Sequence, residues 1–185
     1  MDARIVGNKI DLKAPELTDS KLCTLVDFNQ NSEALKWTGR NYRISNPINC
    51  KKWIEGCMTD ENKYTFFIHD KRNRFIGTCD LNLMHACSSN AELGILIGAP
   101  YVNEGYGTET IQLLLKFAFD ELRLHRVMLR LDLENERALH VYEKCGFKEC
   151  GLEHETSWIE GKWHDTLTME ILDREYYGEQ NTTSR

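Results

Sequence analysis

No stretch of this chain approaches the roughly 18 to 20 consecutive apolar residues that a membrane span requires. Met1 to Ile10 (MDARIVGNKI) also lacks the apolar core of a signal peptide. The expectation is a cytoplasmic protein with no membrane partner. No two of the seven cysteines, at 23, 50, 57, 79, 87, 145 and 150, have the C-x-x-C spacing of a zinc site or redox dithiol. Reduced thiols, most of them in the core, and no metal are therefore expected, and in that compartment the sequon Asn181-Thr182-Thr183 carries little meaning. Positive charge is in deficit: 23 Lys and Arg against 29 Asp and Glu leave a net charge of −6. That argues against the broad basic face of a nucleic-acid binder and is compatible with a cationic substrate, although acidity also serves solubility alone.

What remains is an ordinary globular composition. With 185 residues, 41% of them hydrophobic, the chain fits one domain with a real core. That domain is expected over residues 1–176, followed by a polar tail, 177–185 (YGEQNTTSR). Ile5 to Leu12 reads as a first strand ended by Ala14-Pro15, after which Thr18 or Asp19 can cap a helix carrying Leu22, Leu25 and Val26. Asn46-Pro47 opens a second helix with Ile48, Trp53, Ile54 and Met58 as its apolar stripe. Tyr64–His69 and Phe75–Leu83 are strand-like runs around the polar turn at 70–73, and Ala91–Ile97 completes a three-strand meander. Beyond Pro100, Ile111, Leu114, Leu115, Ala118 and Leu122 predict a helix over 108–122. Val127–Leu133 is then a strand, and a helix runs from Glu136 to Lys144 between a capping Asn135 and a stop at Gly146. A last hairpin turns at Glu160-Gly161, with arms ETSWI and KWHDTLTMEIL. Strand, helix, strand between 91 and 133 inside an otherwise antiparallel arrangement gives an α/β (α+β) class with a mixed sheet.

The junction VNEGYGTET, residues 102–110, places two glycines between the strand run and the strongest helix. The first N–H groups of a helix have no backbone partner and favour anions, and glycine lets a phosphate approach the backbone. A lone G-x-G is more often a plain turn, and the spacing matches neither the dinucleotide fingerprint nor the P-loop. About 30 residues downstream stands NERALHVYEKCGF, Asn135–Phe147. With AELGILIGAPYVNEGYGTET and the closing E-G-K-W-H-D hairpin, it resembles the GCN5-related N-acetyltransferase (GNAT) superfamily. The likeness is narrower to the branch of ribosomal-protein N-terminal acetyltransferases and bacterial spermidine acetyltransferases.

The resemblance implies a twisted, mostly antiparallel sheet of about seven strands with a central splayed parallel pair, flanked by about four helices. It implies direct transfer of acetyl from acetyl-CoA, the cosubstrate, to an amine in a ternary complex. Val102, Asn103, Glu104, Gly105, Tyr106, Gly107 and Thr108 would wrap the CoA diphosphate with backbone N–H groups. Backbone groups of Ile95, Leu96 and Ile97 would bond pantetheine and the acetyl carbonyl, Asn135 would hold the pantetheine arm, and Tyr142 would protonate the departing thiolate. Asn135 can equally cap its helix, and Tyr142 can simply pack.

Two departures stand out. Val102 occupies a loop position that the resembled family usually fills with Gln or Arg, and Arg130 stands where some N-terminal acetyltransferases of that superfamily have a glutamate as general base. Glu92, at the start of the splayed strand, is the leading general base, since an amine of pKa near ~10 must lose a proton before attack; it can also be an exposed strand carboxylate. Asp80, Asn82 and His85 are lesser helpers. His154 and His164, on the last hairpin, either touch substrate or sit on the surface. The stretch 31–46 and the hairpin near Trp158 and Trp163 would wall the acceptor cleft in this family. Glu33, Asp60 and Glu61 would suit a polyamine, whereas aromatic walls would suit a peptide N-terminus. An idle acetyl-CoA-binding module is the alternative to an enzyme, and a homodimer is the commonest assembly for such a chain.

Overall fold

The computed structural model describes residues 4–30, 37, 46–84 and 89–178. Its eight strands are β1 (Arg4–Val6), β2 (Ile10–Lys13), β3 (Lys63–Asp70), β4 (Phe75–Leu83), β5 (Asn90–Ile97), β6 (Arg126–Asp132), β7 (Lys148–Ile159) and β8 (Lys162–Leu172). They form one sheet in the order β1-β2-β3-β4-β5-β6-β8-β7. Every pairing is antiparallel except β5 with β6, which is parallel. The expected first strand is two: Val6 pairs with Asp11, and the chain reverses at Gly7, whose N–H donates to Ile10 O at 2.9 Å. The described residues thus form eight strands, close to the expectation of about seven. The first arm of the last hairpin is also longer than ETSWI, because β7 begins at Lys148. Residues 148–156 are exposed on both faces, so no period marks them.

Among the described residues there are five α-helices: α1 (Asp19–Gln30), α2 (Pro47–Thr59), α3 (Tyr106–Lys116), α4 (Glu136–Lys144) and α5 (Asp173–Tyr176). Thr18 Oγ1 caps α1 by accepting from Lys21 N at 3.3 Å, and Asn46 Oδ1 caps α2 by accepting from Asn49 N at 2.9 Å. The apolar stripe of α2 differs from the expected one. Cys50 and Ile54 are buried and Trp53 packs beside them, whereas Ile48 and Met58 face solvent. The expected helix over 108–122 starts two residues earlier and ends in a π turn, Phe117–Glu121. Around that wider turn Phe117 meets Tyr64 and Phe66 edge-on, and Phe119 stacks on Tyr176.

The middle of the sheet is covered on both faces. One face carries Ile68, Leu81, Ala91, Leu93, Leu129 and Met169 against Ile111, Leu114 and Leu115 of α3 and Tyr142 of α4. The other carries Phe67, Phe75 and Leu96 against Leu25 and Phe28 of α1 and Cys50 and Ile54 of α2. Strand alternation therefore turns Ala91, Leu93, Ile95 and Ile97 to the first core, and Glu92, Gly94 and Leu96 to the second side. Six described cysteines are free, but only Cys50 and Cys79 are buried, fewer than expected; Cys87 lies outside the described residues.

Candidate active site

The parallel pair is short. β5 and β6 match only over Asn90↔Arg126, Ala91↔Val127 and Glu92↔Met128. β5 continues to Ile97 beside β4, with Ile97 opposite Gly77, so among the described residues no strand pairs its other edge from Leu93 onward. A cleft of about 500 Å³ opens there, within the size range of ligand pockets. It is bounded by Leu93 to Ile97, the loop after β5, the start of α3, and Asn135 and Tyr142.

The glycine junction forms one end of the cleft. Gly105 is the N-cap of α3 at φ +81°, a left-handed conformation that glycine adopts freely, and Asn103 before it sits at φ +66°. The first backbone bond of the helix is Glu109 N–H to Gly105 O at 3.2 Å. The N–H groups of Tyr106, Gly107 and Thr108 precede it and have no carbonyl partner among the described residues. A Cβ at Gly107 would meet no atom within 4 Å, so the surface there is bare. Val102, Asn103, Gly105, Gly107 and Thr108 line the cleft, whereas Glu104 and Tyr106 line a neighbouring groove instead.

At the other wall, Asn135 is buried and caps α4, its Oδ1 accepting from Ala138 N at 3.1 Å. Seven residues on, Tyr142 is 9% exposed and also lines the cleft. Burial, with a small addition from Cys145, pushes its phenol from the ordinary 10 up to about 12. It is therefore fully protonated at neutral pH.

The floor beside the splay carries charge. Glu92 lines the cleft and is held in a fork by Arg130, Nε to Oε1 at 3.1 Å and Nη2 to Oε2 at 3.3 Å. Arg130 is thus the partner of Glu92 on the neighbouring strand, and that bond raises the Arg130 pKa. Asp80 lines the cleft too, 3.2 Å from Lys63 Nζ and packed where a Cβ at Gly94 would stand.

Other expectations fare differently. His164 neither touches the cleft nor reaches the surface: it is 2% exposed and its Nδ1 lies 2.7 Å from Asp132 Oδ2. His154 is exposed beside Asp165. Trp158 and Trp163 pack edge-to-face on each other and do not line the cleft. Asp60 and Glu61, at the end of α2, are exposed and away from it. Glu33 and His85 lie outside the described residues, as does the stretch 31–46 apart from Trp37, which lines the cleft, and Asn46. Sequence reasoning missed Arg137 in the cleft wall and Lys9, whose Nζ reaches Glu104 O at 2.9 Å from 95 residues away. Only the three-dimensional fold brings Lys9 there.

The arrangement fits acetyl-CoA: bare glycine backbone and free N–H groups for a diphosphate, an unpaired strand edge for an amide-bearing arm, and a protonated phenol at the far end. Among the described residues no cluster of side chains suits a metal. Comparison with known proteins agrees. The acetyltransferase (GNAT) domain matches residues 10–148. A spermidine N(1)-acetyltransferase of Vibrio cholerae is 32% identical over 171 residues, 92% of this chain and 97% of that protein. Its Escherichia coli K12 counterpart is 33% identical over 132 residues, 64% of this chain and 69% of the other. The crystal structure of the Vibrio cholerae enzyme in complex with CoA and spermine superposes with a TM-score of 0.83 at 25% identity, covering 92% of this chain and 99% of that one. With its splayed strands, glycine loop and these relatives, the chain belongs to the GNAT family and is an acetyl-CoA-dependent N-acetyltransferase.

Proposed function

We propose that the acceptor is a primary amine of a polyamine. Full-length similarity to a spermidine N(1)-acetyltransferase supports this. The observation that carries it is the acidic lining of the cleft, where Asp80 and Glu92 each already engage a cation, Lys63 and Arg130, a place that an acceptor ammonium would share.

Acetyl-CoA, when bound, supplies the acetyl group as a thioester. In this reading the backbone of Val102 to Thr108 holds the diphosphate, with the Glu104 and Tyr106 side chains turned to the neighbouring groove. Backbone groups of Ile95, Leu96 and Ile97 align the arm and acetyl carbonyl, and Asn135 steadies the arm. Glu92 accepts the proton of the acceptor ammonium, directly or through water, so that the free amine forms the new C–N bond as the C–S bond breaks. Arg130 keeps the carboxylate oriented during that transfer. Tyr142 holds its proton at Oη and gives it to the departing sulfur, then regains one from solvent. The enzyme acts in the cytoplasm as one domain over residues 1–176, where its free thiols stay reduced, and as a homodimer.

The test is release of free CoA, followed by mass spectrometry because seven cysteines would react with thiol dyes. Acceptors are spermidine, spermine, amino sugars and peptides starting with Ser or Ala. Turnover with the polyamines is expected. Turnover with peptides alone would reassign the acceptor to protein N-termini. Tight acetyl-CoA binding without turnover on any amine would favour an idle binding module.

A further inference from the structure

Beside the glycine loop lies a second groove of about 540 Å³. Its charged lining is Lys9, Lys71, Arg72 and Arg74 against Asp70 and Glu104. In a chain of net charge −6 this concentration of cations runs against the composition. Two of the four are already matched. Arg74 Nε donates to Asp70 Oδ2 at 2.7 Å, and Lys71 Nζ lies 2.8 Å from Asp11 Oδ1. Asp70 is further engaged by the backbone N–H groups of Arg72 and Arg74, so its charge builds the β3–β4 turn. Lys9 and Arg72 are left without a carboxylate. Lys9 Nζ donates only to the neutral Glu104 carbonyl, and the Arg72 guanidinium makes no bond among the described residues.

Lys9 also stands in an electrostatically adverse place. Its Nζ is 3.1 Å from where a Cβ of Gly105 would be, at the N-cap of α3. A cation at the positive end of a helix is disfavoured. The fold nevertheless fixes it there, because Glu109 in the first turn of α3 accepts from the backbone N–H groups of Asn8 and Lys9. An anion between the helix start and Lys9 turns that penalty into attraction. Tyr101 lines both this groove and the cleft, so the two cavities meet at the diphosphate end.

We infer that this groove binds the 3′-phosphate end of the cofactor: Arg72 pairs with the phosphomonoester, and Lys9 supplies the loop with the cation that Val102 does not. The inference rests on the acetyl-CoA reading of the cleft. A phosphomonoester carries nearly two negative charges at neutral pH and suits a guanidinium fork.

Isothermal titration calorimetry with CoA and 3′-dephospho-CoA tests it independently of turnover. The wild-type protein is expected to bind CoA at least tenfold more tightly. Arg72→Gln, in an exposed turn, should abolish most of that preference, and Lys9→Gln should weaken both ligands. Equal affinity of the wild-type protein for the two ligands overturns the inference, as does an undiminished preference in Arg72→Gln. Unchanged binding in Lys9→Gln overturns the role of that residue. Preference for CoA without acetyl transfer to any amine would sink the polyamine reading and leave the groove standing, whereas transfer without preference would do the reverse.

Discussion

In the proposed transfer Tyr142 holds its proton until the thiolate leaves, and burial, which raises its pKa, acts in that direction. Its pKa, raised to about 12 chiefly by desolvation, lies above the unfolded value of about 10. Any stability it contributes is therefore complete below pH 10 and lost as pH rises through 12, well outside the assay range. Tyr142→Phe should lower kcat by about 10²- to 10⁴-fold with little change in KM for acetyl-CoA. A loss below threefold would reduce the residue to packing. The two loop glycines separate shape from function in the same way. Gly105→Ala forces a side chain to φ +81° and should cost about 1–2 kcal/mol, read as a lower Tm. Gly107→Ala meets no neighbour, so Tm should hold while acetyl-CoA affinity falls, because the methyl group occupies the bare surface offered to phosphate. Retained affinity would place the ligand elsewhere.

On β3, His69 is 2% exposed with Nδ1 3.3 Å from Phe67 O, and it faces Phe75. Burial first, then the charges of Lys21 and Lys13, lowers its pKa to about 4, although Asp11 pulls the other way. A depressed histidine stabilises the fold fully above its unfolded value near 6.5, and the contribution drains away as pH falls toward 4. Chemical denaturation should show a loss of up to about 3 kcal/mol across that window, with a flatter profile in His69→Gln. Parallel profiles would show that other groups govern acid unfolding. Elements such as α3 were legible because Ile111, Leu114, Leu115 and Ala118 recur at three and four residues and all bury. The split of the first strand was less so, although Gly7-Asn8 carried a turn signal. The Glu92–Arg130 fork spans 38 residues and Lys9–Glu104 spans 95, and no local period encodes either. His164 was misjudged because its burial depends on Asp132 arriving from another strand. The parts of the site set by local chain geometry were thus visible, and those made by strands meeting were not.

For the molecule as a whole, the splay is a place where sheet hydrogen bonding is given up. β5 pairs with β4 along nearly its full length but with β6 at three positions only. A ligand arm that bonds this edge takes the place of the missing strand, so binding should tighten the sheet at its centre. Acetyl-CoA at 100-fold excess over its Kd should stabilise the native state by about 2.7 kcal/mol. In a chain of this size that moves Tm by roughly 5–11 °C. Hydrogen exchange locates the effect: protection should concentrate in Leu93 to Ile97 and in Val102 to Thr108, with β1 and β7 unchanged. A comparable rise in Tm with protection spread over other strands would mean that the ligand binds outside the splay, and the assignment of the cleft would fall with it.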